Sequence, residues 1–259
     1  MSEGPSTLRI GLLLPDVMGT YGDGGNALVL RGRARLRGLD AEIVPITLDT
    51  DVPASCDVYT LGGGEDVAQT LATRHLARHR GLHAAVDRSV PVLAVCAGLQ
   101  VLGHTYTGSD GTTVEGLGLL DVTTTPRLTR AIGELLVEPT AEGLTERLTG
   151  FENHRGATTL GTDARPLGRV LHGVGNGTGD GREGMVHGSI IATYLHGPVL
   201  ARNPQLADLL LSRAMGLTDP SQLSPLNLES VALLRRERLA HKPSHAPRRR
   251  WWSRLNRQA

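Results

Sequence analysis

Cys96 closes the apolar run Val92-Leu93-Ala94-Val95 and opens the small-residue stretch Ala97-Gly98-Leu99-Gln100. Far downstream, His196 closes a second apolar run, Ser189 to Leu195, and is followed by Gly197-Pro198. A thiol and an imidazole are what nucleophilic acyl transfer needs: the thiolate attacks and the imidazole moves the proton. A sharp strand-to-helix turn would push the thiol out at the carboxyl edge of a sheet. The same turn aims helix N-terminal amides at developing charge and can lower a thiol pKa. A buried structural Cys is the commoner fate of a lone cysteine; the turn is what argues for a nucleophile.

Neighbouring residues fit that chemistry. Gln100, four residues after Cys96, returns to its side of the first helical turn and offers a donor and an acceptor to a substrate. Gly98 would leave room for substrate to approach the backbone. Gly62-Gly63-Gly64 ends another apolar run. An amide of Gly63 or Gly64, with that of Ala97, would form an oxyanion hole. His75, His79 and His83 are spaced like metal ligands, but interleaved Arg and the lack of nearby acids read as a solvated helix face. No metal site is expected.

Composition narrows the classes. The 259 residues suffice for a large domain, with only two cysteines, Cys56 and Cys96, and one lysine, Lys242. Two cysteines so far apart exclude a zinc finger and fit a reducing, cytoplasmic compartment. A Walker A loop needs Gly-Lys-Ser/Thr, which is absent, so ATP chemistry would fall to another polypeptide. No apolar run reaches the ~18 residues of a membrane span, and the polar N-terminus reads as no signal peptide. Net charge is +1, but nine Lys/Arg crowd between Arg235 and Arg257, leaving an acidic body. That argues against nucleic acid as a partner. The tail (Arg248–Arg250, Trp251, Trp252, Arg254, Arg257) reads as a solvated basic segment or, alternatively, as a peripheral contact with anionic lipid.

Apolar runs at Leu8–Leu14, Ala41–Ile46, Cys56–Leu61, Val90–Val95 and Ser189–Leu195 read as strands. Helical patterns cover Ala27–Leu39 (Leu28, Leu30 and Leu36 inward), Glu65–Arg80, Ala97–His104 and Asn203–Met215. This alternation predicts an α/β fold with a doubly wound, mostly parallel sheet flanked by helices, which binds ligands beyond its strand carboxyl ends. Leu117–Thr125, Ala131–Val137 and Arg169–Val174 read as short strands of a small antiparallel extension. The expected division is a catalytic domain over 1–217 and a helical segment (Leu226–Ala240) with a basic tail over 218–259.

The set Cys-x-Gly-x-Gln after a buried strand, a Gly-rich loop before it and a late His resembles class I glutamine amidotransferases, in the cobyric-acid-synthase-like branch. Within it, ordered segments resemble the glutaminase subunits of lipid II isoglutaminyl synthase. These are Tyr21–Asn26, Gly62–Gln69, Glu115–Asp121, Arg127–Thr129, Gly150–His154 and Thr193–Pro198. The resemblance implies hydrolysis of L-glutamine to glutamate and ammonia, with Cys96 as nucleophile and His196 as acid/base. It makes Arg127 the clamp for the glutamine carboxylate, with Arg130 a rival. It implies a heterodimer with a Mur-ligase-like synthetase subunit that uses ATP and Mg to amidate D-glutamate of lipid II, and no cofactor in this chain. The position two residues after the His, where many class I enzymes carry an acid, is Pro198. So a Cys–His dyad works alone, or an acid comes from Glu152, Asp23 or the partner. A cobyrinate-type acceptor and a catalytically silent scaffold are the alternative readings.

Overall fold

The computed structural model describes residues 7–240, so the Arg/Trp tail lies outside the described residues. The chain runs β1 (Leu8–Leu13), α1 (Gly25–Arg35), β2 (Ala41–Ile46), β3 (Val58–Leu61), α2 (Asp66–Arg78), α3 (Gly81–Asp87), β4 (Val92–Val95) and α4 (Ala97–Leu102). Next come β5 (Thr105–Thr107), β6 (Thr113–Glu115), β7 (Val122–Pro139), β8 (Leu148–Leu160), β9 (Gly168–His172), β10 (Arg182–Glu183), β11 (Met185–His187) and β12 (Ile190–Thr193). Helices α5 (Val199–Arg202), α6 (Pro204–Ala214) and α7 (Glu229–Ala240) follow.

One sheet has the order β11-β12-β4-β3-β1-β2 and is parallel except at β11. Its inner strands β3, β4 and β12 are buried at every position because both faces are covered, whereas the edge strand β2 exposes Glu42 and Pro45. Along β4, Val92 and Ala94 enter one core while Leu93 and Val95 enter the other. The first core is closed by Leu76 of α2, Leu82 of α3 and Leu99 of α4. The second is closed by Leu30 of α1 and by Leu206 and Leu210 of α6. Truncating one such fully buried leucine to alanine costs about 2–5 kcal/mol.

Helix α1 differs from expectation. Only Leu30 turns inward; Leu28 and Leu36 are 54% and 60% exposed. The helix begins at Gly25, and its inner face is Ala27, Leu30 and Ala34. Leu36 lies past its last turn. Arg33 is also drawn in, because its guanidinium donates to both carboxylate oxygens of Asp208 at 2.8 and 2.6 Å.

The antiparallel extension is a full six-stranded sheet, β10-β9-β7-β5-β6 with β8 on β7. Where two short strands were expected, β7 is one 18-residue strand, broken in register only between Pro126 and Ala131. Its 13-residue partner β8 has no counterpart in the apolar pattern. The reason is that its buried face carries Glu152, His154 and Thr158, so polar residues take the positions that a period-two pattern reserves for apolar ones.

The structure divides into units 1–228 and 229–259. The first extends past the expected boundary at 217: Leu223 is buried, and Arg37 donates to the Ser224 carbonyl at 2.8 Å. Helix α7 by itself buries none of its side chains. No described helix is long and apolar enough to cross a membrane.

Candidate active site

Cys96 sits between β4 and α4 with φ 54° and ψ −107°. A non-glycine residue held at positive φ stores about 1–3 kcal/mol of strain and persists only where its surroundings enforce it. They do so here. Cys96 N–H donates to the Thr193 carbonyl of β12 at 2.8 Å, and the Cys96 carbonyl accepts from Gln100 N–H at 3.2 Å. Gly98 serves packing rather than substrate approach, since a Cβ there would lie 2.8 Å from the Leu61 carbonyl oxygen. Both cysteines are free thiols.

His196 is held against β8 by two backbone bonds. His196 N–H donates to the Phe151 carbonyl at 2.8 Å, and Phe151 N–H donates to the His196 carbonyl at 3.1 Å. The acid comes from the same chain. Nδ1 of His196 lies 2.9 and 3.1 Å from the two Asp23 oxygens, and both side chains are buried. With Nδ1–H donating to this carboxylate, Nε2 is the nitrogen left for proton transfer, and it has no hydrogen-bond partner among the described residues. Burial pulls the imidazole pKa down. The hydrogen bond and charge of Asp23, with the neighbouring Cys96, outweigh that and push it up to about 10. Tyr21 packs edge-on to the same ring, with centroids 5.1 Å apart.

The Gly-rich turn after β3 has a different role from the one expected of it. Gly63 N–H donates to Asp23 Oδ2 at 2.9 Å, so it is not an oxyanion donor. Its carbonyl accepts from Gly19 and Thr20 N–H, and a Cβ on Gly62 would lie 2.8 Å from Gly19 Cα. The glycines therefore admit the loop that carries Asp23. Gly64 and Ala97 do line the cavity beside Cys96, and Ala97, the first residue of α4, keeps an N–H with no partner inside the helix.

That cavity, of about 500 Å³, contains Cys96, His196, Gln100, Arg130 and Arg155 in its wall. Arg127 is not in it. Arg127 lines a second cavity of about 380 Å³ with Val174 and Gly177, with its Nη1 buried and without a hydrogen-bond partner among the described residues, so of the two arginines only Arg130 lies in the wall beside Cys96. Both arginines fall in the register break of β7 between Pro126 and Ala131. Arg130 Nε donates to Asn153 Oδ1 at 2.5 Å, and Asn153 in turn donates to the Tyr21 hydroxyl at 2.6 Å. Glu152 is removed as the triad acid: its carboxylate accepts from Val174 and Gly175 N–H at 2.8 and 3.0 Å.

Residues 9–204 match the CobB/CobQ-like glutamine amidotransferase domain. The chain belongs to this glutamine amidotransferase family. It is 37% identical over 209 residues to the lipid II isoglutaminyl synthase (glutamine-hydrolyzing) subunit GatD of Staphylococcus aureus, covering 80% of this chain and 84% of that protein. A cobyric acid synthase of Sphingopyxis alaskensis is 34% identical over 66% of this chain, but the match spans only 34% of that larger protein. A solved glutamine amidotransferase structure shares the fold, with a TM-score of 0.52, 19% identity, and coverage of 80% of this chain and 98% of that one.

Within this amidotransferase the side chain of Gln100 is spanned by protein contacts rather than left for substrate alone. Its Oε1 accepts from Gln69 Nε2 at 2.9 Å and its Nε2 donates to the Tyr194 hydroxyl at 3.0 Å. Gln69 and Gln100 both line the cavity. Gln69, Tyr21 and Tyr194 were not singled out from sequence, because only the fold brings them to Cys96. The three spaced histidines do not form one solvated face: His83 is buried on α3. Among the described residues no group of three or more His, Cys, Asp or Glu is arranged to hold a metal.

Proposed function

We propose that Cys96, His196 and Asp23 hydrolyse L-glutamine, and that the ammonia passes to an ATP-dependent, Mur-ligase-like synthetase subunit that amidates D-glutamate of lipid II. The observation that carries the hydrolytic half is the buried His196–Asp23 pair beside a strained Cys96 in one cavity. The likeness to a lipid II isoglutaminyl synthase subunit over most of both chains supports the acceptor half.

The glutamine carboxylate binds Arg130, with Arg155 beside it, since an arginine fork matches a carboxylate. The Cys96 thiolate attacks the side-chain amide carbon. Charge on the amide oxygen faces the N–H groups of Ala97 and Gly64. His196 Nε2–H protonates the amide nitrogen, the C–N bond breaks, and ammonia leaves behind a thioester. His196, now neutral, takes a proton from water, whose oxygen attacks the thioester carbon. Glutamate departs, and the regained proton restores the thiolate–imidazolium pair. Asp23 holds the ring in the tautomer that presents Nε2 and offsets its charge. This chain needs no cofactor in that sequence; ATP and Mg belong to the synthetase. The site of action that follows is cytoplasmic, where glutamine and ATP are available, with the basic tail as a peripheral contact to the membrane that carries lipid II.

The test is glutamate release and lipid II amidation by the purified chain with its synthetase subunit. Glutamate and amidated lipid II formed together, both lost on Cys96→Ala, are expected. Glutamate without amidation of lipid II, but with amidation of a cobyrinate acceptor, would replace the acceptor. No glutamate with the partner bound would make the chain a scaffold.

A further inference from the structure

The pairing of β12 with β4 ends at Thr193, opposite Val95. Beyond it, Tyr194 and Leu195 are fully buried, and their N–H groups have left the ladder. A buried N–H without an acceptor is costly, and here side chains supply the acceptors. Tyr194 N–H donates to Glu183 Oε1 at 2.8 Å, and the Thr193 hydroxyl donates to the same oxygen at 2.7 Å. The Thr193 hydroxyl oxygen in turn accepts from Leu195 N–H at 3.0 Å. One carboxyl oxygen therefore sets the path of the chain from Thr193 to Leu195.

That path joins the two reactive residues. The Thr193 carbonyl accepts from Cys96 N–H at 2.8 Å, a bond that helps to hold Cys96 at φ 54°. This carbonyl and the Tyr194 N–H belong to one peptide unit, which is planar, so fixing the direction of one end fixes the other. Glu183 grips the N–H end and Cys96 hangs on the carbonyl end. His196 follows directly after Leu195. Glu183 reaches this peptide from β10, in the other sheet. Asn176 secures that approach: its Nδ2 donates to the Gly184 carbonyl at 3.1 Å and its Oδ1 accepts from Gly184 N–H at 2.7 Å. Glu183 is itself 0% exposed and does not line the catalytic cavity. Burial, with the charge of Glu152 adding to it, pushes its pKa up to about 7. A protonated carboxyl still accepts at Oε1, so the grip does not need the charge.

We propose that Glu183 is a positioning residue for glutamine hydrolysis: its Oε1 orients the Thr193–Tyr194 peptide, whose carbonyl holds Cys96 in its strained conformation beside His196. This role rests on the glutaminase reading above. Glu183 touches neither substrate nor the reacting atoms, and no bond forms or breaks at it.

The experiment uses the complex with the synthetase subunit and three variants. Glu183→Gln keeps an accepting Oε1, Glu183→Leu removes it at similar size, and Thr193→Val removes the hydroxyl and leaves Glu183 in place. The readings are kcat and KM for glutamate release, the pH midpoint of Cys96 alkylation by iodoacetamide followed on the Cys96 peptide, and thermal melts. Glu183→Leu should lower kcat about 10–100-fold with KM within about twofold, as a small misplacement of reacting groups does. Its alkylation midpoint should rise by about one pH unit, because a thiolate displaced from the imidazolium is less favoured. Thr193→Val should move both readings the same way but less, about three- to tenfold in kcat, and Glu183→Gln should stay within about threefold of wild type. If kcat and midpoint are unchanged in Glu183→Leu and Thr193→Val, whatever their melting temperatures, Glu183 only stabilises the fold and the positioning role is overturned. A Glu183→Gln variant as impaired as Glu183→Leu also overturns it, since the accepting oxygen is then not what matters. Should Glu183→Leu fail to fold, Thr193→Val and Glu183→Gln decide by the same two readings. A folded wild-type complex that releases no glutamate removes the glutaminase reading instead, and the alkylation midpoints still decide whether Glu183 positions Cys96.

Discussion

The carboxyl edge of the parallel sheet and the β7–β8 ribbon meet at one cavity but are built in opposite ways. At the sheet edge, each group follows an apolar strand by one to three residues: Cys96 after β4, Gly63 after β3, His196 after β12. Position there is set by short-range rules of strand, turn and helix. On the ribbon, Arg130, Asn153 and His154 take their places from a register break and from polar residues buried on β8. The edge supplies reactive chemistry that tolerates little variation in geometry. The ribbon supplies the polar and charged side chains of the opposite wall. Reactive groups here ride on buried, rigid strands, whereas the specificity groups ride on an irregular stretch that a few residues can reset.

The largest effect should come from the edge. Cys96→Ala should reduce glutamate release by about 10⁴-fold or more, as loss of a covalent nucleophile does; a loss of less than tenfold would take the reaction away from this thiol. Next comes Asp23→Asn, for which a fall in kcat of about 10²–10⁴-fold with little change in KM is expected. The same variant carries a pH signature. The folded pKa of His196 is raised from 6.5 toward about 10. Its contribution to stability is therefore full below pH 6.5 and is lost as pH rises toward the folded value. Asp23→Asn should flatten that limb in thermal melts taken across this range. If Asp23→Asn left both kcat and the melting profile untouched, the edge would be a dyad and its completeness within one chain would be lost.

The ribbon should respond in KM. Arg130→Ala should raise KM for glutamine about 10–100-fold with kcat nearly kept, as loss of a charged hydrogen bond does. Arg127→Ala should move KM far less; the reverse ranking would undo the distinction between the two cavities. The smallest effect concerns Glu183. Burial pushes its folded pKa above the ordinary glutamate value, up to about 7, so its ionisation opposes folding as pH rises toward that value. Glu183→Gln should gain stability relative to wild type above that pH, on the order of 1 kcal/mol, read by urea unfolding at pH 5 and pH 8. An equal difference at both pH values would mean the carboxyl is not held protonated.

The contrast between regions is also the contrast between what could and could not be read from the chain. The five strands of the parallel sheet show as apolar runs because both faces are buried, and that leaves a local trace. Cys96 and His196 were legible for the same reason, since each ends such a run. Asp23 was one of two acids that could not be ranked: it lies 173 positions from His196, and only the close passage of Gly19 over Gly62 and Gly63 brings the two together. Strand β8 escaped notice because Glu152, His154 and Thr158 bury polar groups that pair across the fold. The choice of Arg127 followed motif order, whereas only the fold shows that Arg127 and Arg130, both in the register break between Pro126 and Ala131, line different cavities.

By itself the sequence determined the fold class and the carboxyl edge on which Cys96 and His196 lie, because apolar periodicity and turn residues act over a few positions. The tertiary structure alone decided that Asp23 meets His196, that Arg130 lies in the wall beside Cys96, and that Glu152 and His154 are buried on β8. Each of these depends on contacts between distant segments, where a hydrogen bond or a close glycine approach is settled only once the sheets have packed.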